Sequence, residues 1–256
     1  MDKDRQKIFG YYFGCAPQVF SGAVILTPFI PAERFKKYCD VLETFRGALY
    51  AGIIAERDGV RFAVVRCGIG DRLLGEAALL LGRTRVDGLL FAGSCGGLKG
   101  CSIGDLIVCE GAFNGEGFTR YHSESFDIGR VMDSGEVISA DIGYTERLKK
   151  VLSDRPGKAG FGTGRVFTIG SIMAEERKED ILAVSKKGFR AVEMELSAFF
   201  RAARVTGTKA AGLVFVSDLP LEKPFWEGLS SADREKYDKG IEDLVRISVK
   251  FAGEVI

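Results

Sequence analysis

From residue 22 onward, short apolar runs alternate with longer stretches of helical spacing, and that alternation leaves few architectures open. GAVILTPF (22–29) reads as a buried strand. PAERFKKYCDVLETF (31–45) places Phe35, Tyr38, Val41, Leu42 and Phe45 on one stripe and reads as a helix. Residues 48–70 read as a hairpin turning at Asp58-Gly59. A helix is expected over 71–84, a strand over 86–97 running into Gly-Ser-Cys-Gly-Gly, and another strand over 104–113. Residues 114–133 are the least regular stretch. A helix with a Ser or Asp cap follows at 139–152, then a strand at 161–171. A long helix over 191–207 closes at Gly207, a buried strand spans 209–218, and an amphipathic helix spans 230–256. Strands alternating with helices across 256 residues predict a single three-layer α/β/α domain with a central mixed sheet. It is expected over 22–256, after an N-terminal extension of 1–21.

Charge and residue inventory exclude several classes. Lys plus Arg is 36 against 35 for Asp plus Glu, so the chain has no general attraction for nucleic acid or an anionic membrane. No apolar run approaches the roughly 20 residues of a membrane span. The opening MDKDRQK is mixed in charge, so no signal peptide is expected. Six cysteines form no CxxC pair and His122 is the single histidine, which argues against a metal site and for a reduced, cytoplasmic protein. A nucleophile–histidine enzyme would depend on His122 alone. With Tyr121, that residue lies in the irregular stretch, and a surface position is the plainer reading of it.

Ligands of open α/β sheets sit beyond the carboxyl ends of strands. Four segments carry unusual residues there: Gly68-Ile69-Gly70, Gly93-Ser94-Cys95-Gly96-Gly97, Val192-Glu193-Met194-Glu195 and Ser217-Asp218. The first is no dinucleotide fingerprint, since Leu73 stands where a third glycine would be needed. Three glycines around Ser94 exceed what a turn needs and let backbone N–H groups converge on a ligand oxygen. On a helix, Glu193 and Glu195 would point about 200° apart. The plainer readings are a carboxylate favoured by a helix N-terminus for each glutamate, and a cap for Asp218.

Taken together, GIG (68–70), AGSCGGL (92–98), GDLIV (104–108), VEMELSA (192–198) and VSD (216–218) resemble the nucleoside phosphorylase superfamily. The branch is that of hexameric purine nucleoside phosphorylases, uridine phosphorylases and methylthioadenosine/S-adenosylhomocysteine nucleosidases. The resemblance implies that Met194 and Glu195 hold a ribose, with Glu193 beside them. It implies that Asp218 is the general acid at a purine-type base, assisted by Arg234, and that Ser217 and the region of Phe167, Ile172 and Met173 meet the base. Cleaving a C1′–N bond builds ribosyl cation character and a leaving base that needs a proton, which suits this set of carboxyls.

The sequence also departs from that pattern. The first strand ends Pro28-Phe29-Ile30-Pro31 instead of in a glycine–aspartate pair, and Phe91 occupies the position of the phosphate-binding arginine. Ser94 keeps the phosphate-contacting hydroxyl, beside Gly70 of the GIG turn. Arg34 and Arg72 are replacement cations, Glu33 falls near the water-activating glutamate of the nucleosidases, and ordinary surface charge is the plainer reading of all three. The expectation is N-glycosidic cleavage of a purine-type nucleoside, with water favoured over phosphate. The alternatives are a phosphorylase with an altered phosphate site and a nucleoside-binding protein without turnover. No cofactor is expected beyond phosphate as a possible co-substrate. The resemblance also implies a homo-oligomer, dimer or hexamer, with the pocket closed by the partner through 114–130.

Overall fold

The computed structural model describes residues 2–154 and 161–254. The strands are β1 (Ser21–Thr27), β2 (Asp40–Arg46), β3 (Ala51–Arg57), β4 (Val60–Arg66), β5 (Arg85–Gly97), β6 (Leu106–Gly115), β7 (Val137–Ser139), β8 (Gly162–Ile169), β9 (Ala191–Glu193) and β10 (Ala210–Asp218). The helices are α1 (Lys3–Phe13), α2 (Ala32–Phe35), α3 (Asp71–Leu81), α4 (Phe118–Tyr121), α5 (Ile128–Ser134), α6 (Ile142–Ser153), α7 (Lys178–Lys186), α8 (Leu196–Thr206) and α9 (Ser231–Ala252). None of the described helices is long and apolar enough to cross a membrane.

The expected mixed sheet forms. Parallel pairs join β1 to β4, β1 to β5 and β5 to β10. Beyond β10 the sheet turns on itself through β6, β8 and β9, and β9 pairs back with β5. β5 therefore has neighbours along both its early and its late residues, which is why a strand of 13 residues is needed there. Side chains alternate across it as the pleat requires. Val24, Leu26, Leu89 and Phe91 enter one core with α1, α3 and α8, while Ala23, Ile25, Leu90 and Ala92 enter a second with α6 and α9.

Two expected helices are replaced in part by strands. Over 31–45, helix persists only through α2 and a 3-10 turn at Lys36–Tyr38, and β2 follows. Pairing with β3 outweighs the helical spacing of Val41, Leu42 and Phe45, of which only Phe45 is buried. Over 191–207, the first three residues enter the sheet as β9 and the helix begins at Leu196. The helical angle expected between Glu193 and Glu195 is thus absent. Leu196, Phe199, Phe200 and Ala203 fall on the core side of α8, leaving Val205 at 63% exposure. Gly207 closes the helix in the left-handed conformation, and Asp141 caps α6 through the Tyr144 N–H at 2.7 Å, both as expected.

Residues 2–21 pack onto this body. Phe9 and Phe13 of α1 stack with centroids 4.2 Å apart and are fully buried against Phe20 and Tyr50. Truncating a buried phenylalanine costs about 3–5 kcal/mol. Phe13→Ala should therefore lower the unfolding free energy in urea by about that amount. A change within experimental error would show that α1 is a detachable appendage.

Candidate active site

The carboxyl ends of β1, β4, β8, β9 and β10 and the late residues of β5 converge on a cleft of about 400 Å³. Ser94 lies on its floor, Glu193 and Asp218 are the last residues of their strands, and Arg234 and Tyr237 project from α9. Pro28, Phe29 and Ile69 form its apolar side.

Glu193 shapes the cleft more than it opens into it. One oxygen accepts the Thr168 hydroxyl, and the other accepts the backbone N–H groups of Glu195 and Leu196, each at 2.6 Å. These are the first free N–H groups of α8, so Glu193 satisfies donors that a helix start leaves open. Glu195 follows as the residue before the helix and accepts the Gly70 N–H at 2.7 Å. Gly70 has φ +110°, a conformation that favours glycine, and so the GIG turn serves to hold Glu195. Burial pushes both carboxyls above the usual carboxylate range. Three donors hold Glu193 towards its ionised form, while its charge adds to the upward push on Glu195.

Asp218 is 4% exposed. Ser217 donates to one of its oxygens at 2.9 Å and the Phe225 N–H to the other at 3.2 Å. Burial lifts its pKa to about 6 despite both donors. A carboxyl lifted in this way keeps its proton to higher pH than an ordinary aspartate, as a proton donor requires.

The structure brings Ser94, Ile172, Glu193, Met194, Glu195, Ser217, Asp218 and Arg234 to this cleft. Gly70 joins them through its bond to Glu195. The remaining candidates lie elsewhere. Phe167 is fully buried and stacks on Phe113 with centroids 5.1 Å apart, so it is core and does not face the cleft. Met173 points to solvent at 55% exposure. Glu33 is paired with Lys36 at 3.6 Å and borders a separate groove against β2 and β3. Arg34 reaches Glu242 of α9 at 4.0 Å. Arg72 borders another groove, along α3 and α8. Phe91 is wholly core, its ring 6.0 Å from that of Phe199. Among the described lining residues, Arg234 is thus the one cation, against Glu175, Glu193, Glu195 and Asp218. Tyr121 is buried, its hydroxyl donating to the Gly115 carbonyl at 2.6 Å, and His122 bonds Ser171 at 2.9 Å.

Sequence reasoning missed Glu175. It stands in the 3-10 turn Ile172–Glu176 after β8, 7% exposed, and burial raises its pKa to about 8 with Asp218 adding to the shift. The Ala-Glu-Glu-Arg-Lys-Glu-Asp run around it reads as a solvated charged face, and only the fold turns this one carboxyl inward. Pro28, Phe225, Leu229 and Tyr237 were also missed, since only the assembled fold brings them together.

Comparison with known proteins identifies the fold and the family. The family model of the phosphorylase superfamily matches residues 24–252. The guanosine phosphorylase of Halorubrum lacusprofundi is 25% identical over 221 residues, 85% of this chain and 86% of that protein. The fold is similar to that of a uridine phosphorylase from Vibrio fischeri, with a TM-score of 0.73, 18% identity and 90% of each chain covered. It is similar as well to a 5′-methylthioadenosine/S-adenosylhomocysteine nucleosidase from Neisseria meningitidis, with a TM-score of 0.68, 16% identity, and 92% and 99% of the two chains covered. The chain belongs to the phosphorylase superfamily, the enzymes that act as nucleoside phosphorylases or nucleosidases.

Proposed function

We propose that the cleft cleaves the N-glycosidic bond of a purine-type nucleoside and releases the free base, with water as the nucleophile. The observation that carries this reading is the pairing of Asp218, a buried acid with a pKa of about 6, with the Glu193–Met194–Glu195 element across one cleft. Asp218 protonates the departing base at its imidazole nitrogen, so the bond breaks towards a neutral leaving group. Met194 and Glu195 hold the ribose, where carboxylate charge is strengthened in effect as positive charge builds on the sugar. Glu193 orders the loop that presents them. Arg234 is the cation available to assist Asp218.

The surroundings of Ser94 favour water. Pro28, Phe29 and Ile69 are apolar, and four carboxyls outweigh Arg234 within the lining, a poor field for a phosphate dianion. A sugar that has already become cationic needs little activation of its nucleophile. The likeness to a guanosine phosphorylase, with Ser94 still in the cleft, supports phosphorolysis as the second reading. Base release from inosine, guanosine and methylthioadenosine should proceed without phosphate, and strict dependence on phosphate would replace the first reading by the second.

Asp218→Asn should cut turnover by roughly 10²–10⁴ while leaving the melting temperature and nucleoside binding almost intact. A raised pKa on an acid that must be protonated has a defined sign. kcat/KM should fall as pH rises through about 6, and the substitution should remove that limb. A profile unchanged by Asp218→Asn would assign the proton to another group.

Ile69 (61%), Phe118 (64%) and Val205 (63%) are apolar and exposed, which supports a homo-oligomer of at least two copies. Light scattering coupled to size exclusion at micromolar concentration should give at least twice 27.9 kDa, and a fully active species at 27.9 kDa would refute the assembly.

A further inference from the structure

Tyr237 has no role in the reading above, yet it lines the cleft from α9. Two contacts fix its ring. Phe215 meets it edge-on with centroids 5.1 Å apart, and the Arg234 guanidinium lies 5.5 Å from its centroid. Among the described lining residues the cleft has three side-chain hydroxyls, those of Ser94, Ser217 and Tyr237. Ser217 is taken up by Asp218 and the Cys95 carbonyl. The hydroxyls of Ser94 and Tyr237 make no hydrogen bond among the described residues. Those of Tyr38, Tyr50 and Tyr121 do, to Glu242, the Leu73 carbonyl and the Gly115 carbonyl.

The strand register brings these two hydroxyls to one side of the sheet. Phe215 of β10 pairs with Ser94 of β5, and neighbouring strands lie about 4.8 Å apart with paired side chains on one face. That face is the α9 side, since Ala92, two residues before Ser94, enters the core of α6 and α9 together with Phe215. Phe29 and Tyr237 pack against the same core. β5 runs between β1 and β10, so Ser94 stands between Phe29, just past the end of β1, and Tyr237, over Phe215 of β10. We propose that Tyr237 and Ser94 together seat the nucleophile, and that this pair of neutral hydroxyls selects water over phosphate. The inference rests on the nucleoside-cleaving reading of the cleft.

The chemistry of the pair suits a neutral nucleophile. A hydroxyl both donates and accepts. Two of them accepting the two hydrogens of a water leave an oxygen lone pair for the sugar. A phosphate dianion only accepts, and its charge calls for cations and several donors, where the pair supplies two donors and no charge. In the step, the water oxygen bonds C1′ as the C1′–N bond breaks and its electron pair leaves with the base. The base takes the proton of Asp218. The bound water gives up one proton to bulk water, and bulk water returns one to Asp218. Tyr237 and Ser94 orient the attacking oxygen and end the step with their own protons in place.

Tyr237→Phe keeps the ring on Phe215 and removes only the hydroxyl. The test follows base and sugar products in the full-length protein and in this variant, with the best substrate among inosine, guanosine and methylthioadenosine, in phosphate-free water and in dilute methanol. Methanol competes with water for the sugar and gives the methyl riboside. A pocket without the phenol hydroxyl holds water less well and accepts the methyl group better. Turnover in water should fall about tenfold, with nucleoside KM and melting temperature unchanged. The ratio of methylated to free sugar should rise about threefold. A merely structural role lowers both products alike. A ratio that does not rise overturns the assignment of Tyr237 and leaves the cleavage reading intact. Base release by the wild type only in added phosphate overturns the choice of water and the selectivity assigned to the pair, while cleavage stands. No base release under either condition overturns the cleavage reading and this inference with it.

Discussion

The site depends on one buried carboxylate, that of Glu193. It ties the end of β9 to Thr168 of β8 and to the first two free N–H groups at the start of α8. Those bonds decide where strand stops and helix begins within a run of five residues. They leave Met194 and Glu195 in the short bend between, facing the cleft. Thr168 is a second knot, since its oxygen also accepts the Ser197 N–H at 3.0 Å. Loss of the carboxylate would leave two helix donors and a hydroxyl without their buried acceptor, a penalty larger than that of a single surface contact.

Around that knot the cleft gathers four carboxyls and one guanidinium among its described lining residues. Such a site cannot ionise fully, because burial and like charge both oppose it. Burial lifts the four to different extents. Asp218 is raised least, to about 6, Glu193 further despite its three donors, and Glu195 and Glu175 to about 8. Acids lifted to different extents can hold a proton on one member while another keeps its charge.

Much of this was legible in the sequence. The apolar runs at 22–29 and 86–97 predicted buried strands, and the two cores use their residues in turn. Asp58-Gly59 predicted a tight hairpin, and Gly207 and Asp141 predicted helix ends. The spacing of VEME and VSD marked the site residues that the cleft contains. The failures share a cause. β2 and β9 form because a neighbouring strand offers hydrogen bonds, an influence that local periodicity does not register. Glu33, Arg34 and Arg72 suited the expected nucleophile pocket by position along the chain, yet each finds its place elsewhere on the surface, Glu33 and Arg34 against nearby ions of opposite charge.

The sequence by itself determined the layered α/β class, the core faces, the turns and the acid that ends β10, because those follow from side-chain polarity and local backbone preference. The tertiary structure decided which carboxyls share one cleft. Glu175 sits in a run that reads as solvated charge, and Phe167 reads as a base contact, yet the first turns inward and the second disappears into the core. Ionisation was decided there as well, since a pKa depends on burial and on partners distant in the chain: Gly70 for Glu195, Thr168 for Glu193, Phe225 for Asp218. A carboxyl's neighbours in space, and not in sequence, set its ionisation.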